Sequence, residues 1–345
     1  MFILFEGVSV TASSPFDDFR ALLNSLPDPD ENAIKLARKR QSELTKPEGS
    51  LGRLEDIALW YAGWRGKEKP IVTRPLVAVF AGNHGVTDEN VTPVPRAVTQ
   101  QMVENFAAGG AAINQICVAY DLGLKIFDLA LDYPTMDITK DAAMDMRGAA
   151  ATMAFGMESI AGGTDLLCLG EMGIGNTTIA SAISLALYGG KAEEWTGPGT
   201  GSKGDYYRRK IAAVKKAVEL HKDHLDDPFE VMRRLGGREI AAMMGAILAA
   251  RMEKIPVILD GFVVTAAAAL LHKINPHALD HCIAGHVSAE PAHRRLLDKI
   301  GKKPLLDLGM RLGEGTGAAI AAGVVKAAVL THSQMATFEQ AGIKI

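Results

Sequence analysis

The apolar positions of the chain follow two patterns that change near residue 68. Before that point, apolar residues recur at helical spacing, which predicts helices over residues 16–25, 30–44 and 51–64. After it, short continuous apolar runs bounded by proline, glycine or polar residues are typical of buried parallel strands. Six such runs occupy residues 75–81, 124–129, 165–169, 256–260, 281–284 and 304–306.

Helical segments separate these runs, and an Ala-rich run at 318–329 predicts a last helix. The predicted helices cover residues 96–107, 110–120, 176–187, 205–223, 228–235, 238–253, 262–273 and 289–300. The alternation predicts an α/β fold with a Rossmann-like, six-stranded, mostly parallel sheet and helices on both faces. Residues 132–150 show no clear period, and we expect a loop over the sheet edge there.

The change of pattern also predicts how the chain is divided. We expect a small helical subdomain over residues 1–68, joined by the C-terminal tail at about 331–345, and an α/β catalytic domain over residues 69–330.

Composition narrows the class of protein. The 345 residues are 48% hydrophobic and carry a net charge of −3, so no basic face for nucleic acid or for a membrane surface is expected. Three cysteines lie far apart in apolar runs, as in a reduced, cytoplasmic protein. No apolar run approaches 18 residues without charge, so we expect no membrane span. Residues 1–10 are apolar but lack the basic region of a signal peptide.

Polar, Gly-marked loops follow the predicted strands. The sequences are GNHG at 82–85, GEM at 170–172, DG at 260–261 and GHVS at 285–288, with GEG at 313–315 after the last strand. In open α/β sheets, ligands bind beyond the carboxyl ends of the strands. We therefore expect these five loops to form one site.

Two of the loops place a glutamate between glycines and directly before a helix. Glu171 and Glu314 are therefore candidates for acid–base chemistry at one site. The simpler interpretation of Glu314 is a favourable charge in the first turn of a helix. The sequence does not give the distance between the two carboxylates.

Two further stretches suit an anion. GIGNTT at 173–178 opens a helix whose free N–H groups and hydroxyls suit a phosphate, although a capped helix explains the same residues. GPGTG at 197–201 is either a second phosphate loop, with Lys203 or Lys210 as its cation, or a flexible connector. A P-loop and a dinucleotide fingerprint are both missing, which argues against a dinucleotide oxidoreductase.

Three further polar residues have two interpretations each. His84 and His286 are acid–base groups or order their loops by hydrogen bonds, and no ligand spacing indicates a metal site. Asp260 binds a hydroxyl or caps the helix that follows it.

Six motifs, in this order, resemble the nicotinate-nucleotide–dimethylbenzimidazole phosphoribosyltransferase family of cobalamin lower-ligand synthesis. They are KPEGSLGRLE at 46–55, GNHGV at 82–86, GEMGIGNTT at 170–178, LDGF at 259–262, HVSAE at 286–290 and MRLGEGTG at 310–317. The resemblance runs from about residue 15 to the C-terminus, and the first ten residues match nothing in the family.

The resemblance implies a reaction on two small molecules and needs neither metal nor cofactor. Nicotinate mononucleotide gives its phosphoribosyl group to 5,6-dimethylbenzimidazole, and the products are nicotinate and α-ribazole 5′-phosphate. Glu314 matches the family's catalytic base, and Glu171 matches a second glutamate with an auxiliary role. The family is homodimeric, so a homodimer is expected here.

The same resemblance assigns the binding residues. Those expected at the phosphate and ribose are Gly173, Gly175, Asn176, Thr177, Thr178, Gly199, Lys210, Asp260 and Ser288. Those expected at the acceptor base are Val94, Ala97, Met102, Met172 and Leu312.

Two functions remain as alternatives. Val94 and Met102 stand where the family carries polar groups, which leaves open a transfer to another azole or to a purine. The other alternative is a phosphosugar-binding protein without catalysis. Retention of both Glu171 and Glu314 argues against that alternative, because a protein that only binds needs no buried carboxylate beside an acceptor.

Overall fold

A computed structural model describes residues 14–344 of the chain. Its six strands are β1 (Pro75–Ala81), β2 (Gly123–Asp128), β3 (Leu166–Met172), β4 (Val257–Leu259), β5 (Cys282–His286) and β6 (Pro304–Leu306). Its helices are α1 (Asp17–Asn24), α2 (Glu31–Glu43), α3 (Arg53–Arg65), α4 (Val98–Ala107), α5 (Ala112–Tyr120), α6 (Met146–Met157), α7 (Asn176–Tyr188), α8 (Ala192–Trp195), α9 (Asp205–His221), α10 (Pro228–Leu235), α11 (Arg238–Met252), α12 (Phe262–Ile274), α13 (Pro291–Lys299) and α14 (Thr316–Gln334).

The strands form one sheet in the order β2-β1-β3-β4-β5-β6, and every pairing between them is parallel. The predicted α/β fold is confirmed, and all six apolar runs are strands. The strand order reverses between β1 and β3, because β2 lies on one side of β1 and all later strands lie on the other. The carboxyl ends of strands at such a point flank the crevice where ligands bind.

Both faces of the inner strands β1, β3, β4 and β5 are buried, which is why these strands are mostly apolar, whereas the edge strands β2 and β6 are partly exposed. In β1, Ala78 and Phe80 pack into the core on the side of α7, α11 and α12. Val77 and Val79 pack on the other side, against α14. Parallel strands covered on both faces have no solvent-facing row, so the sequence shows a run rather than an alternation.

The expected loop over residues 132–150 is wrong at its end, where α6 begins. The prediction failed because α6 is rich in alanine and glycine and lacks a polar stripe. Its glycines serve close packing instead: a Cβ at Gly156 would lie 1.9 Å from the carbonyl oxygen of Ala242 in α11. A Cβ at Gly245 of α11 would lie 1.9 Å from the carbonyl oxygen of Met153. The short helix α8 was also not predicted.

The first helices and the tail attach to the sheet domain at different places. Before α1, the ring of Phe16 stacks on that of Phe229 in α10 at 5.0 Å between centroids. Leu44 at the end of α2 pairs with Thr337 of the tail in an isolated bridge. The division at residue 68 remains a prediction. Residues 1–13 of the predicted subdomain lie outside the described residues.

α14 is long and apolar enough to cross a membrane by length and composition alone. However, 61% of its most apolar 18-residue stretch is buried inside the protein, as in the core helix of a globular fold.

Candidate active site

A cavity of about 200 Å³ lies at the carboxyl ends of β3, β4 and β5. Its wall comes from residues 171–174, 176–177, 199–200, 261–263 and 311–313, together with His286, Ser288 and Glu290. Four of the five loops singled out in the sequence therefore meet here, because carboxyl ends of parallel strands share one edge of the sheet.

The loop that carries Glu314 has an uncommon backbone. Glu314 has a φ of +63°, between Gly313 at +83° and Gly315 at +78°. The left-handed region is costly for a residue with a Cβ, and such positions concentrate at functional sites. The loop rests on β3: the Glu314 N–H donates to the Glu171 carbonyl at 3.2 Å, and a Cβ at Gly170 would lie 2.4 Å from the Gly315 nitrogen.

The Glu314 side chain is buried, with 4% of its surface exposed. Burial and, to a lesser degree, the negative charge of Asp260 raise its pKa to about 7. A carboxyl group with this pKa is ionised in a large fraction of molecules at neutral pH and still holds a proton well. It therefore suits a general base.

Glu171 is buried beside more acidic groups than Glu314 is. Burial and the charges of Asp260, Glu239 and Glu314 raise its pKa well above the ordinary value, opposed by a hydrogen bond that the Asn176 amide donates to the carboxylate. Two carboxyl groups in different surroundings, one of them held by an amide, are suited to different roles in one site.

A buried cation lies behind the cavity wall. The Lys210 ammonium donates to the hydroxyl of Thr177, which lines the cavity, and to the carbonyl of Gly197, both at 2.8 Å. Burial lowers its pKa to about 8, against the opposing charge of Glu290. The cavity thus borders the start of α7, where the positive end of the helix dipole and a nearby cation favour an anion.

Asp260 caps the last helix, not the helix that follows it. Its carboxylate accepts the N–H groups of Gly315 at 3.2 Å and Ala318 at 2.8 Å. The neighbouring His286 lines the cavity, with Nε2 3.5 Å from the Asp260 Oδ1. Asp260 therefore fixes the loop of Glu314 on the strand ends.

His84 lies below the cavity, not in its wall. Its Nε2 is 2.8 Å from the Glu239 carboxylate, and both side chains are fully buried. The ring sits against the backbone of the GIGNTT loop, since a Cβ at Gly173 would lie 3.2 Å from Nε2. This contact fits the loop-ordering interpretation.

The comparisons with known proteins agree with each other. The family model of a phosphoribosyltransferase matches residues 26–343. Nicotinate-nucleotide–dimethylbenzimidazole phosphoribosyltransferases from Rhizobium leguminosarum bv. trifolii (strain WSM2304) and Sinorhizobium medicae (strain WSM419) are each 73% identical over 95% of this chain and 97% of their own length. The chain belongs to the nicotinate-nucleotide–dimethylbenzimidazole phosphoribosyltransferase family. A crystal structure of such an enzyme from Thermus thermophilus superposes with a TM-score of 0.83 at 39% identity, over 92% of this chain and 99% of that one.

Most of the residues that the resemblance to this phosphoribosyltransferase family assigns lie at or beside the cavity. The wall contains Glu171, Met172, Gly173, Asn176, Thr177, Gly199, Ser288 and Leu312. Outside it lie Gly175, Thr178, Lys210, Asp260 and Glu314, each on the segments just described or adjoining them.

Three residues expected at the acceptor base lie outside the cavity wall. Around the start of α4, Val94 and Met102 are half-buried and Ala97 is exposed. Their segment is tied to the cavity by Thr99, whose hydroxyl accepts the N–H of Ile174 at 3.1 Å.

Two wall residues, Glu290 and Arg311, stand inside recognised motifs but received no role from the sequence. Glu290 accepts the N–H of Gly199 at 2.9 Å, and the Arg311 guanidinium donates to the carbonyl of the same residue at 3.0 Å. Their position beside strand-end loops indicated a role at the site. However, Gly199 is 91 residues from Glu290 and 112 residues from Arg311, and no local sequence pattern predicts contacts over such distances.

Within residues 14–344, no group of three or more His, Cys, Asp or Glu side chains is arranged to hold a metal ion.

Proposed function

We propose that this protein transfers the phosphoribosyl group of nicotinate mononucleotide to 5,6-dimethylbenzimidazole, giving α-ribazole 5′-phosphate and nicotinate for cobalamin biosynthesis. The observation that carries the proposal is one cavity whose wall residue Gly313 adjoins Glu314, a buried carboxyl group with a pKa of about 7, and whose wall residue Thr177 is bonded to a buried ammonium group. The first suits an acceptor that must lose a proton, and the second suits a donor that carries a phosphate.

The reaction needs one base and no strong acid. A benzimidazole nitrogen attacks C1′ of the ribose, and the bond from C1′ to the pyridinium nitrogen breaks with its electron pair going to nicotinate. The acceptor N–H proton passes to the Glu314 carboxylate. Because attack comes from the face opposite the leaving group, the anomeric bond changes from β to α.

Glu171 takes an auxiliary role in this proposal. Burial and the nearby carboxyl groups raise its pKa and so favour its neutral form, and the Asn176 amide fixes its orientation. In the neutral form the carboxyl group is a hydrogen-bond donor to the ribose or to the base.

The phosphate would bind at the start of α7, with Lys210 reaching it past Thr177. Support comes from the left-handed Gly175 that begins this helix, with a φ of +94°, and from the Lys210–Thr177 hydrogen bond. The flat acceptor would lie against Met172 and Leu312 of the wall, and Val94, Ala97 and Met102 would approach from the start of α4.

A turnover assay tests the proposal. The protein is incubated with nicotinate mononucleotide and, separately, with dimethylbenzimidazole, benzimidazole, imidazole and adenine, and nicotinate and the nucleotide product are measured by chromatography and mass spectrometry. We expect release of nicotinate with dimethylbenzimidazole and an α-anomeric product by NMR. Turnover only with another base would identify a different acceptor, and binding without any turnover would identify a phosphosugar-binding protein.

We also propose that the enzyme is a cytoplasmic homodimer. Support comes from exposed apolar side chains on α5 and α14, where Val118 is 80% and Leu330 59% exposed. Light scattering should give twice the mass of the chain, and a monomer at micromolar concentration would contradict this.

A further inference from the structure

One fully buried acidic residue lies outside the cavity wall and in none of the recognised motifs. Glu239 is in the first turn of α11, and none of its side chain is exposed. Its Oε1 is 2.8 Å from Nε2 of His84, which is hydrogen-bond distance. Neither side chain has another polar partner within residues 14–344. The contact therefore fixes both side chains, and removing one leaves the other buried and unpaired.

The His84 ring lies between two glycine backbones. A Cβ on Gly237, the residue before α11, would lie 3.0 Å from Nδ1 of the ring. A Cβ on Gly173 would lie 3.2 Å from Nε2. A side chain at either position would crowd the ring, so the backbone itself packs against it. The ring thus joins the start of α11 to the first residue of the GIGNTT loop.

The backbone around His84 is fixed as well. His84 and Thr135 form an isolated parallel bridge. The Thr135 N–H donates to the carbonyl of Asn83, and the N–H of Gly85 donates to the carbonyl of Thr135, both at 2.9 Å. The ring is therefore held by its own backbone on one side and by Glu239 on the other, and the GIGNTT loop rests on it.

The loop that rests on this ring orients a group of the candidate active site. The backbone N–H of Asn176 donates to the carbonyl of Gly173 at 3.1 Å, and the side-chain amide of Asn176 donates to the Glu171 carboxylate. A displacement of Gly173 would therefore move Asn176 and change the orientation of Glu171. Glu239 is also close in space to this group: after burial, the charges of Asp260 and Glu239 raise the pKa of Glu171.

We infer that Glu239 is a positioning residue for the proposed transfer: through His84 it holds the turn at residues 173–175, and thereby Glu171 and the start of α7, in the geometry that the reaction needs. Glu239 itself touches no substrate, because it is fully buried and lies outside the wall. The inference rests on the proposed function for its effect on turnover, whereas its effect on the loop needs no substrate.

Two changes of Glu239 and one control test this inference. Glu239→Leu is similar in size and leaves Nε2 of His84 without its contact, whereas Glu239→Gln offers Nε2 either an oxygen or an NH₂ group. The control is His281→Leu, which removes another buried contact of α11, because Nε2 of His281 is 3.0 Å from the carbonyl of Ile247. His281 directly precedes β5, at the edge of the sheet opposite the cavity.

The measurements are made on folded protein, well below the Tm of each variant. They are kcat/KM for nicotinate mononucleotide and the hydrogen–deuterium exchange of the N–H groups of residues 173–178. A residue that only stabilises the fold changes Tm and leaves both of these quantities at the wild-type value.

Glu239→Leu should lower kcat/KM about 10- to 100-fold, because a displacement of about 1 Å at a reacting group costs on the order of 10²-fold. Exchange at residues 173–178 should become about 10-fold faster or more, because the loop loses its support. Glu239→Gln should stay within about threefold of wild type in both measurements, since the contact to His84 is kept. His281→Leu should lower Tm and change neither.

A further variant tests the route through His84. His84→Phe keeps a ring between the two glycine backbones and removes both nitrogens, so it should reproduce the losses of Glu239→Leu. Combining the two changes should cost no more than the more damaging one alone, because the residues act on the loop as one unit. Losses that multiply in the double variant would overturn the inference.

Wild-type kinetics and exchange in Glu239→Leu would also overturn it. An equal loss in Glu239→Gln would do the same, because the charge of Glu239 would then act without the contact. If the wild-type protein turns over no substrate, the proposed function fails, and exchange at residues 173–178 still decides whether Glu239 holds the loop. Should Glu239→Leu not fold, His84→Phe provides the same comparison.

Discussion

Glu314 combines a left-handed backbone with a carboxyl group whose burial and proximity to Asp260 raise the pKa to about 7. If it is the base, Glu314→Gln keeps the shape of the side chain and removes the proton acceptor. We expect kcat to fall on the order of 10²-fold or more, with acceptor binding little changed. In wild type, kcat/KM for the acceptor should decline as pH falls below 7, because the base becomes protonated.

Glu171→Gln is the comparison for this experiment. It should cost less than Glu314→Gln, because Glu171 is assigned no proton transfer and glutamine keeps a hydrogen-bonding group at the same place. Near-normal turnover of Glu314→Gln across pH 6–9 would make Glu171 the candidate base.

The same carboxyl group should reduce stability at neutral pH. Its pKa is about 7 in the folded protein, above the usual 4.5, so the folded state binds the proton more tightly than the unfolded state does. Its contribution to the free energy of unfolding is therefore lost as pH rises from about 4.5 through 7. Glu314→Gln removes this loss, so its Tm should exceed that of wild type by a few degrees at pH 8 and match it near pH 4.5. A Tm difference that does not change with pH would contradict the raised pKa. Glu193→Gln, a change of an exposed glutamate on α8, gives the Tm difference expected for a carboxyl group that is not buried.

At the scale of elements, the start of α7 and the 197–201 loop depend on Lys210. Lys210→Ala should raise KM for the nucleotide more than it lowers kcat, since a contact to a remote phosphate is largely uniform binding. Because burial lowers the Lys210 pKa to about 8, the ammonium loses its proton as pH rises above 8, and the wild-type KM should then increase. Initial rates over pH 7–9.5 measure both effects.

Lys203→Ala is the matched control, because Lys203 is exposed next to the same loop. If Lys203→Ala and Lys210→Ala raise KM equally, the phosphate lies outside the α7 start, near the loop surface.

The elements also show which parts of the site a sequence can predict. GEM at 170–172 was predicted as a loop at this edge of the sheet, but it forms the end of β3, because Gly170 and Glu171 end the apolar run before the strand ends. The wall position of Glu290 was not predicted, because it depends on Gly199 in another loop. Of the two roles open for Asp260, the cap on the following helix is wrong: its carboxylate holds the start of α14, since parallel strands bring distant helix starts to one edge.

For the whole molecule, sequence patterns predicted the sheet well and the packing of helices less well. Six apolar runs gave six strands, and the signal is clearest for the inner strands, which are buried on both faces and therefore form continuous apolar runs. Gly156 and Gly245 suggested no helix contact, yet they allow α6 and α11 to touch backbone to backbone. The predicted attachment of the tail to the first helices rests on contacts that can be tested directly.

Arg40 makes the most extensive of these contacts. It is buried at 4% exposure in α2 and donates to the carbonyls of His332, Ser333 and Met335 at 2.9, 3.2 and 2.7 Å. Arg40→Ala removes the donor to these carbonyls and leaves a cavity between α2 and the end of α14. We expect the free energy of unfolding in urea to fall by about 2–4 kcal/mol.

Arg38→Ala, an exposed change in the same helix, should alter that free energy by less than about 0.5 kcal/mol. Turnover of both variants should stay near wild type while they are folded, because neither residue lies in the cavity wall. If the tail joins the first helices as one subdomain, proteolysis of Arg40→Ala should start within residues 331–344. Equal stability of the two variants would mean that the end of α14 and the tail are held without Arg40.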